Sequence, residues 1–262
     1  MGAHTKANGI SIYYEQAGTG MDLVLIPGLG ASTHVWYPQL RSLSSGLRVT
    51  ALDPRGHGQS EKPAGPYSIR MMAEDAAALL DASKITRAMV VGSSMSAMVA
   101  VELAAMRPDL IEGLILVGGF AVLSAAGREA FEQRAVLAET EGMAPLADLV
   151  PARAFGAHSH ETQPGLVGLF RQAILSNDPA AYAASCRAIR DADVTPSLGL
   201  VRCPTLILVG EQEQVAPLAA ARTLKAGIPH AQVRVVPNAG HLPFLEQPAW
   251  FNAAVQEFVG SL

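Results

Sequence analysis

An apolar strand pattern, Met89-Val90-Val91, runs into Gly92-Ser93-Ser94-Met95-Ser96-Ala97 and straight on into an Ala-rich helical pattern. A strand that becomes a helix within so few residues has room only for small side chains two positions either side of its apex, because larger ones would collide with the returning chain. Ser94 is that apex, with Gly92 two residues before it and Ser96 two after. Such a turn holds its central residue at a strained backbone angle and leaves the side-chain oxygen accessible. The pattern is that of a nucleophile elbow, with Ser96 standing where G-x-S-x-G has its second glycine. Ser93 and Ser96 are rival hydroxyls, but neither is flanked by small residues at both second positions.

A chain of 262 residues with 50% apolar composition is long enough to bury a sizeable core, and one α/β domain carrying an insertion suits it. The formal net charge of −4 gives a phosphate backbone no broad basic surface, so no nucleic acid is expected as partner. Cys186 and Cys203 lack metal-ligand spacing and read as packed free thiols, which points to a reducing compartment. The start, Met1 to Lys6, has no apolar signal core, and the longest uncharged stretches, 88–101 and 113–127, are broken by glycines. They fall short of the roughly 20 apolar residues that a bilayer span needs. The expectation is a cytoplasmic protein without membrane contact, acting on a small molecule, with self-association left open.

Asn8-Gly9 between short alternating segments is a type I′ turn signal and predicts an opening hairpin that ends near Tyr14. Short apolar runs bounded by Gly, Pro or Asp follow at 23–26, 49–52, 88–91, 114–117, 205–209 and 233–236. Their continuous apolarity is what strands covered on both faces by helices show. Helical patterns lie near 35–43, 68–80, 95–106, 216–226 and 250–259. This order predicts an open, mostly parallel sheet flanked by helices. From 120 to 198 the alternation lapses into helical periodicity, so the division expected is a core of 1–119 and 199–262 with a helical cap insertion, 120–198.

A serine hydroxyl is a weak nucleophile at neutral pH, so Ser94 needs a base within hydrogen-bond reach and that base needs a carboxylate to hold its tautomer. Of the seven histidines, His241 follows Asn238-Ala239-Gly240 just after the last predicted strand and is the candidate base. The loop 210–217 after strand 205–209 offers Glu213 as the acid, with Glu211 as the alternative, at a carboxyl end where the ligand groups of open α/β sheets gather. The oxyanion of a tetrahedral intermediate needs backbone donors. Met95 at the start of its helix is one, and Leu29 in the loop Pro27-Gly28-Leu29-Gly30 is the other. The segment 53–60 carries Asp53, Arg55 and His57 together, but its glycines and Pro54 suggest a rigid turn tied by side chains.

Taken together, Gly28-Leu29-Gly30, the segment 53–60, the Ser94 elbow, the Glu213 loop and Asn238-Ala239-Gly240-His241 resemble the α/β-hydrolase superfamily in kind and in order, across nearly the whole chain. Trp36 and the segment 182–193 make the chain most similar to 3-oxoadipate enol-lactonases and related small esterases. Ser96 replaces a glycine usual in that group, and Glu213 an aspartate. The resemblance implies the α/β-hydrolase fold and a serine hydrolase of a carboxylic ester or enol-lactone, with no cofactor and no metal. It also implies a substrate cavity to which Gly28, Trp36 and Phe120 contribute. Cap arginines Arg128, Arg134, Arg153, Arg171, Arg187 and Arg190 are candidate anchors for an anionic group.

Three other functions compete. Hydrolysis of a carbon–carbon bond in a ring-cleavage diketone uses the same triad and fold. A catalytically silent receptor could hold a small ligand under the cap, although a complete triad argues against it. Gly28-x-Gly30 after a strand, with Asp53 downstream, hints at dinucleotide binding, but Thr33 breaks the fingerprint and Ser94 and His241 would then have no purpose.

Overall fold

The computed structural model describes residues 2–261. Asn8 and Gly9 hold φ of 48° and 83°, as a type I′ turn requires, and join β1 (Gly2–Ala7) to β2 (Ile10–Ala17), so the predicted hairpin runs on to Ala17. Each of the six predicted apolar runs lies within a strand: β3 (Met21–Ile26), β4 (Leu47–Leu52), β5 (Ala88–Ser93), β6 (Ile111–Val117), β7 (Thr205–Gly210) and β8 (Gln232–Val236). Among the described residues these strands form one sheet in the order β1-β2-β4-β3-β5-β6-β7-β8, with β2 antiparallel to β4 and the pairs from β4 to β8 parallel. The expectation of burial on both faces holds for β5 and β7 and fails for β8. As the sheet's edge, β8 pairs only with β7 and leaves Val235 48% exposed.

Helices α1 (Tyr37–Leu43), α2 (Ile69–Ala82) and α3 (Met95–Met106) connect the first parallel strands. The single helix predicted over 35–43 is instead a 3₁₀ turn, Thr33–Trp36, followed by α1. Pro38 lies in the first turn of α1, where its missing N–H costs nothing and its fixed φ starts a new helix. At α2 the side chain of Ser68 accepts a hydrogen bond from the N–H of Met71 at 3.1 Å and caps the helix.

Between β6 and β7 the chain passes through α4 (Ala125–Glu141), α5 (Ala144–Ala154), α6 (Ala157–Thr162), α7 (Pro164–Leu175), α8 (Pro179–Asp191) and α9 (Thr195–Leu198). The two ends of this insertion are clasped: Val122 bridges Asp193, and the N–H of Val194 donates to the carbonyl of Ala121 at 2.9 Å. Arg187 pairs with Glu132 and Glu139, and Arg190 with Glu132, which ties α8 to α4. The chain closes with α10 (Leu218–Gly227), α11 (Pro243–Glu246) and α12 (Pro248–Gly260).

The connection from β3 leads to β4 on one side, whereas β5 lies on the other, so the carboxyl ends of β3 and β5 flank the point where winding reverses. Crevices for ligands open at such points. Ile26 pairs with Gly92 there, so Pro27-Gly28 and Ser94 leave the sheet side by side. The segment 53–60 is the rigid turn its composition suggests. Asp53 accepts from the N–H groups of Thr33 at 2.6 Å and Gln59 at 2.7 Å. Arg55 is buried in a two-pronged pair with Asp75 at 2.5 Å, and His57 Nδ1 lies 2.9 Å from the carbonyl oxygen of Arg55. Burial pushes the His57 imidazole down to about 4, so it is neutral at physiological pH.

Removing one member of a buried ion pair strands the other charge. Asp75→Ala is expected to cost about 3–5 kcal/mol of stability, read from the midpoint and slope of urea unfolding.

Candidate active site

Ser94 follows β5 directly and is the N-cap residue of α3, with φ 53° and ψ −115°, a left-handed backbone that a non-glycine residue adopts only under constraint. Its N–H donates to the carbonyl of Val117 at 2.8 Å, and its own carbonyl accepts from Ala97. Gly92 is required here, since a Cβ on it would lie 2.1 Å from the carbonyl oxygen of Ser96. The serine at position 96 is accommodated by a bond: its buried hydroxyl donates to the carbonyl of Pro27 at 2.6 Å. The side chain that departs from the glycine pattern thus fastens the first turn of α3 to the loop after β3.

His241 lies in the loop between β8 and α11, and its Nδ1 is 2.7 Å from Glu213 Oε2. Both side chains are buried, at 7% and 2% exposure. Glu213 Oε1 accepts from the N–H groups of Val215 at 2.6 Å and Ala216 at 3.1 Å. Burial alone would raise the pKa of this carboxyl, but the charge of His241, the bond to it and the two backbone donors hold it below the ordinary glutamate range. Of the two candidate acids, Glu213 is the one that meets the histidine. Glu211 accepts instead from the N–H of Asn238 at 3.0 Å. Gly118, at φ 55°, makes room for the pair: a Cβ there would come within 2.8 Å of His241 Nδ1 and 3.2 Å of Glu213 Oε2.

Ser94 and His241 line one small cavity of about 40 Å³ together with Gly28, Leu29, Phe131 and Arg134. A Cβ on Gly28 would sit 3.1 Å from that of Ser94, so the glycine lets the loop approach the serine closely. Met95 is the first residue of α3, where helical N–H groups have no partner within the helix. Two expected lining residues lie elsewhere. Trp36 is fully buried and stacks on Phe244 at 4.1 Å between ring centres, so it supports a residue of the cavity wall from behind. Phe120 is buried beside the clasp at the base of the insertion and does not line this cavity. Of the six candidate arginines, Arg134 alone lines it. Arg171, Arg187 and Arg190 are engaged with carboxylates, while Arg134, over the Phe131 ring at 5.2 Å, has no carboxylate partner among the described residues.

Sequence reasoning missed Glu246. It is buried, and its Oε1 accepts from the N–H groups of Gly240 at 2.8 Å and Leu242 at 3.1 Å, the two neighbours of His241. Its Oε2 accepts from the N–H of Gly156 and the hydroxyl of Ser159, each at 2.8 Å. The N–H of His241 itself donates to the carbonyl of Ala154 at 2.7 Å. One carboxylate therefore joins the histidine loop to the α5–α6 junction of the insertion. The available signal was a carboxylate closing the apolar run Leu242-Pro243-Phe244-Leu245, because buried carboxylates need donors.

The family model for the alpha/beta hydrolase fold matches residues 23–248. The chain belongs to this family and is a hydrolase. It is 31% identical over 234 residues to 3-oxoadipate enol-lactonase 2 of Acinetobacter baylyi, covering 89% of this chain and 86% of that protein. A provisional carbamate hydrolase of Caulobacter sp. (strain K31) is 28% identical over 240 residues, 90% of each chain. The crystal structure of the enol-lactonase from Burkholderia xenovorans LB400 superimposes with a TM-score of 0.94 at 34% identity, covering 98% of this chain and 100% of that one.

Glu246→Ala would leave buried donors on both sides of His241 without an acceptor, and each bond to a charged group contributes about 1.5–3 kcal/mol. The expected outcome is a loss of at least about 3 kcal/mol in urea unfolding, with a fall in kcat larger than the change in KM. The lowered Glu213 pKa contributes stability that is complete above the ordinary glutamate range and is lost as pH falls through the folded value. Glu213→Gln should therefore flatten the acid side of a plot of Tm against pH.

Proposed function

We propose that this chain hydrolyses a carboxylic ester or lactone of a small molecule through Ser94, His241 and Glu213. The observation that carries the reading is the buried His241–Glu213 bond of 2.7 Å in a cavity wall shared with a serine held at φ 53°. The enol-lactonase relatives support a lactone or ester as the bond cleaved. Helices α4 to α9 act as a cap over the site, and the buried free thiols Cys186 and Cys203 fit a reducing, cytoplasmic setting.

In this reading His241 takes the Ser94 proton as the oxygen attacks the carbonyl carbon, and the N–H groups of Leu29 and Met95 receive the oxyanion. Glu213 keeps Nδ1 protonated, so that Nε2 is the free base, and steadies the imidazolium that forms. The tetrahedral intermediate collapses, the bond to the leaving oxygen breaks, and His241 returns its proton to that oxygen. Water, deprotonated by the same imidazole, then attacks the acyl-enzyme carbonyl, and the acid departs as Ser94 recovers its proton. With a lactone the departing alcohol stays tethered to the acyl group. Arg134 places a positive charge beside a polar group of the substrate.

Ser94→Ala is expected to abolish both turnover of small aryl esters and labelling by a fluorophosphonate. Activity that survives in that variant would refute the reading, and turnover restricted to ring-cleavage diketones would assign the triad to carbon–carbon cleavage instead. Glu213→Gln should lower kcat by about 10³–10⁴-fold, the scale set by losing the residue that fixes the histidine tautomer.

A further inference from the structure

The room beside Ser94 is about 40 Å³, whereas cavities that hold small molecules run to roughly 300–1,000 Å³. The room beside the serine is too small, with its walls as they stand, to hold a molecule of that size. A second, half-open groove of about 480 Å³ lies next to it, and the two share Ala31 and Phe170. On α7, Leu166, Leu169, Phe170 and Ala173 follow one another at helical spacing and line the groove as an apolar stripe. Leu169 is 71% exposed, a large apolar side chain facing the open groove without a covering partner. Opposite runs the core segment Gly30 to Val35, and Asn177 fastens the two walls by donating to the carbonyl of Gly30 at 2.9 Å.

We propose that this groove is the binding site for an unbranched aliphatic acyl chain, and that the Phe170 ring is the gate between it and the catalytic serine. The assignment rests on the hydrolase mechanism above. The acyl side is chosen because His241 must face the leaving oxygen, while the groove meets the catalytic cavity at Ala31, beside the oxyanion loop, and has no wall from His241. The gate is a buried ring, 6% exposed, in edge contact with Phe155 at 5.5 Å between centres, and a rotamer change would carry it off that contact. The shared wall then becomes a passage, and the substrate chain takes over the burial of the α7 stripe.

The test compares kcat/KM for p-nitrophenyl acetate and p-nitrophenyl octanoate in the full chain and in two variants. Phe170→Ala removes the gate and should raise the octanoate-to-acetate ratio. Ala173→Trp fills the groove and should lower it by about tenfold or more, the equivalent of burying roughly two methylenes. Labelling rates of Ser94 with ethyl and octyl fluorophosphonates, which need no turnover, should follow the same pattern. A ratio that does not move in either variant overturns the assignment while leaving the serine mechanism standing. An absence of turnover and labelling in the unaltered chain overturns both.

Discussion

The strained turn at Ser94 is the constraint around which the rest is arranged. A non-glycine residue at φ 53° costs on the order of 1–3 kcal/mol and persists only where its surroundings over-determine it. Three bonds do so here: Ser94 N–H to Val117, Ala97 N–H to Ser94, and the Ser96 hydroxyl to Pro27. They draw the ends of β3, β5 and β6 together, so the turn that exposes the serine also fixes the distance from it to the Gly28-Leu29 loop. Gly92, Gly28 and Gly118 are the points at which backbone must pass within contact distance of that assembly.

The histidine side depends on a second device of different character. The serine is held by backbone geometry, but His241 lies on a loop with no regular structure, and its position comes from charge. The Glu213 carboxylate holds the ring and the Glu246 carboxylate holds the backbone on both sides of it. Two anions in a poorly solvated region would be unfavourable if bare. Each is surrounded by N–H and O–H donors, the condition under which burial of charge is tolerated. The same donors include Gly156 and Ser159, so the helical insertion is a structural partner of the His241 loop.

The parallel sheet was legible in the sequence because its strands are nearly uninterrupted apolar runs, and the elbow because small residues at fixed offsets have one steric meaning. What escaped was decided by neighbours distant in sequence. The apolarity of 233–236 gave no sign that β8 is the edge of the sheet among the described residues. Trp36 and Phe120 are large rings near the right strand ends, but whether a ring faces a cavity or backs its wall depends on packing that periodicity does not encode. Glu211 and Glu213 are chemically equal in sequence; the turn at Gly210 and the donors of Val215 and Ala216 distinguish them. Glu246 was invisible as a clamp because its partners lie at 156 and 159.

The small volume of the cavity beside Ser94 sets the terms for what enters it. A volume of about 40 Å³ admits little water, and low polarizability around the His241–Glu213 pair strengthens their attraction and every dipole aimed at a developing oxyanion. Enlarging the cavity permanently would admit solvent and weaken those fields, so size selectivity is better placed at a side-chain wall than in the room beside Ser94. Of the rings that line it, Phe244 is stacked on Trp36 and Phe131 lies under Arg134, which leaves Phe170 as the ring that can turn about its side-chain torsions while the backbone bonds that hold the serine, the histidine and the loop at Gly28 stay in place. The rigid parts of this site are tied by hydrogen bonds to charge or strained backbone, whereas Phe170 is held by packing and its edge contact with Phe155.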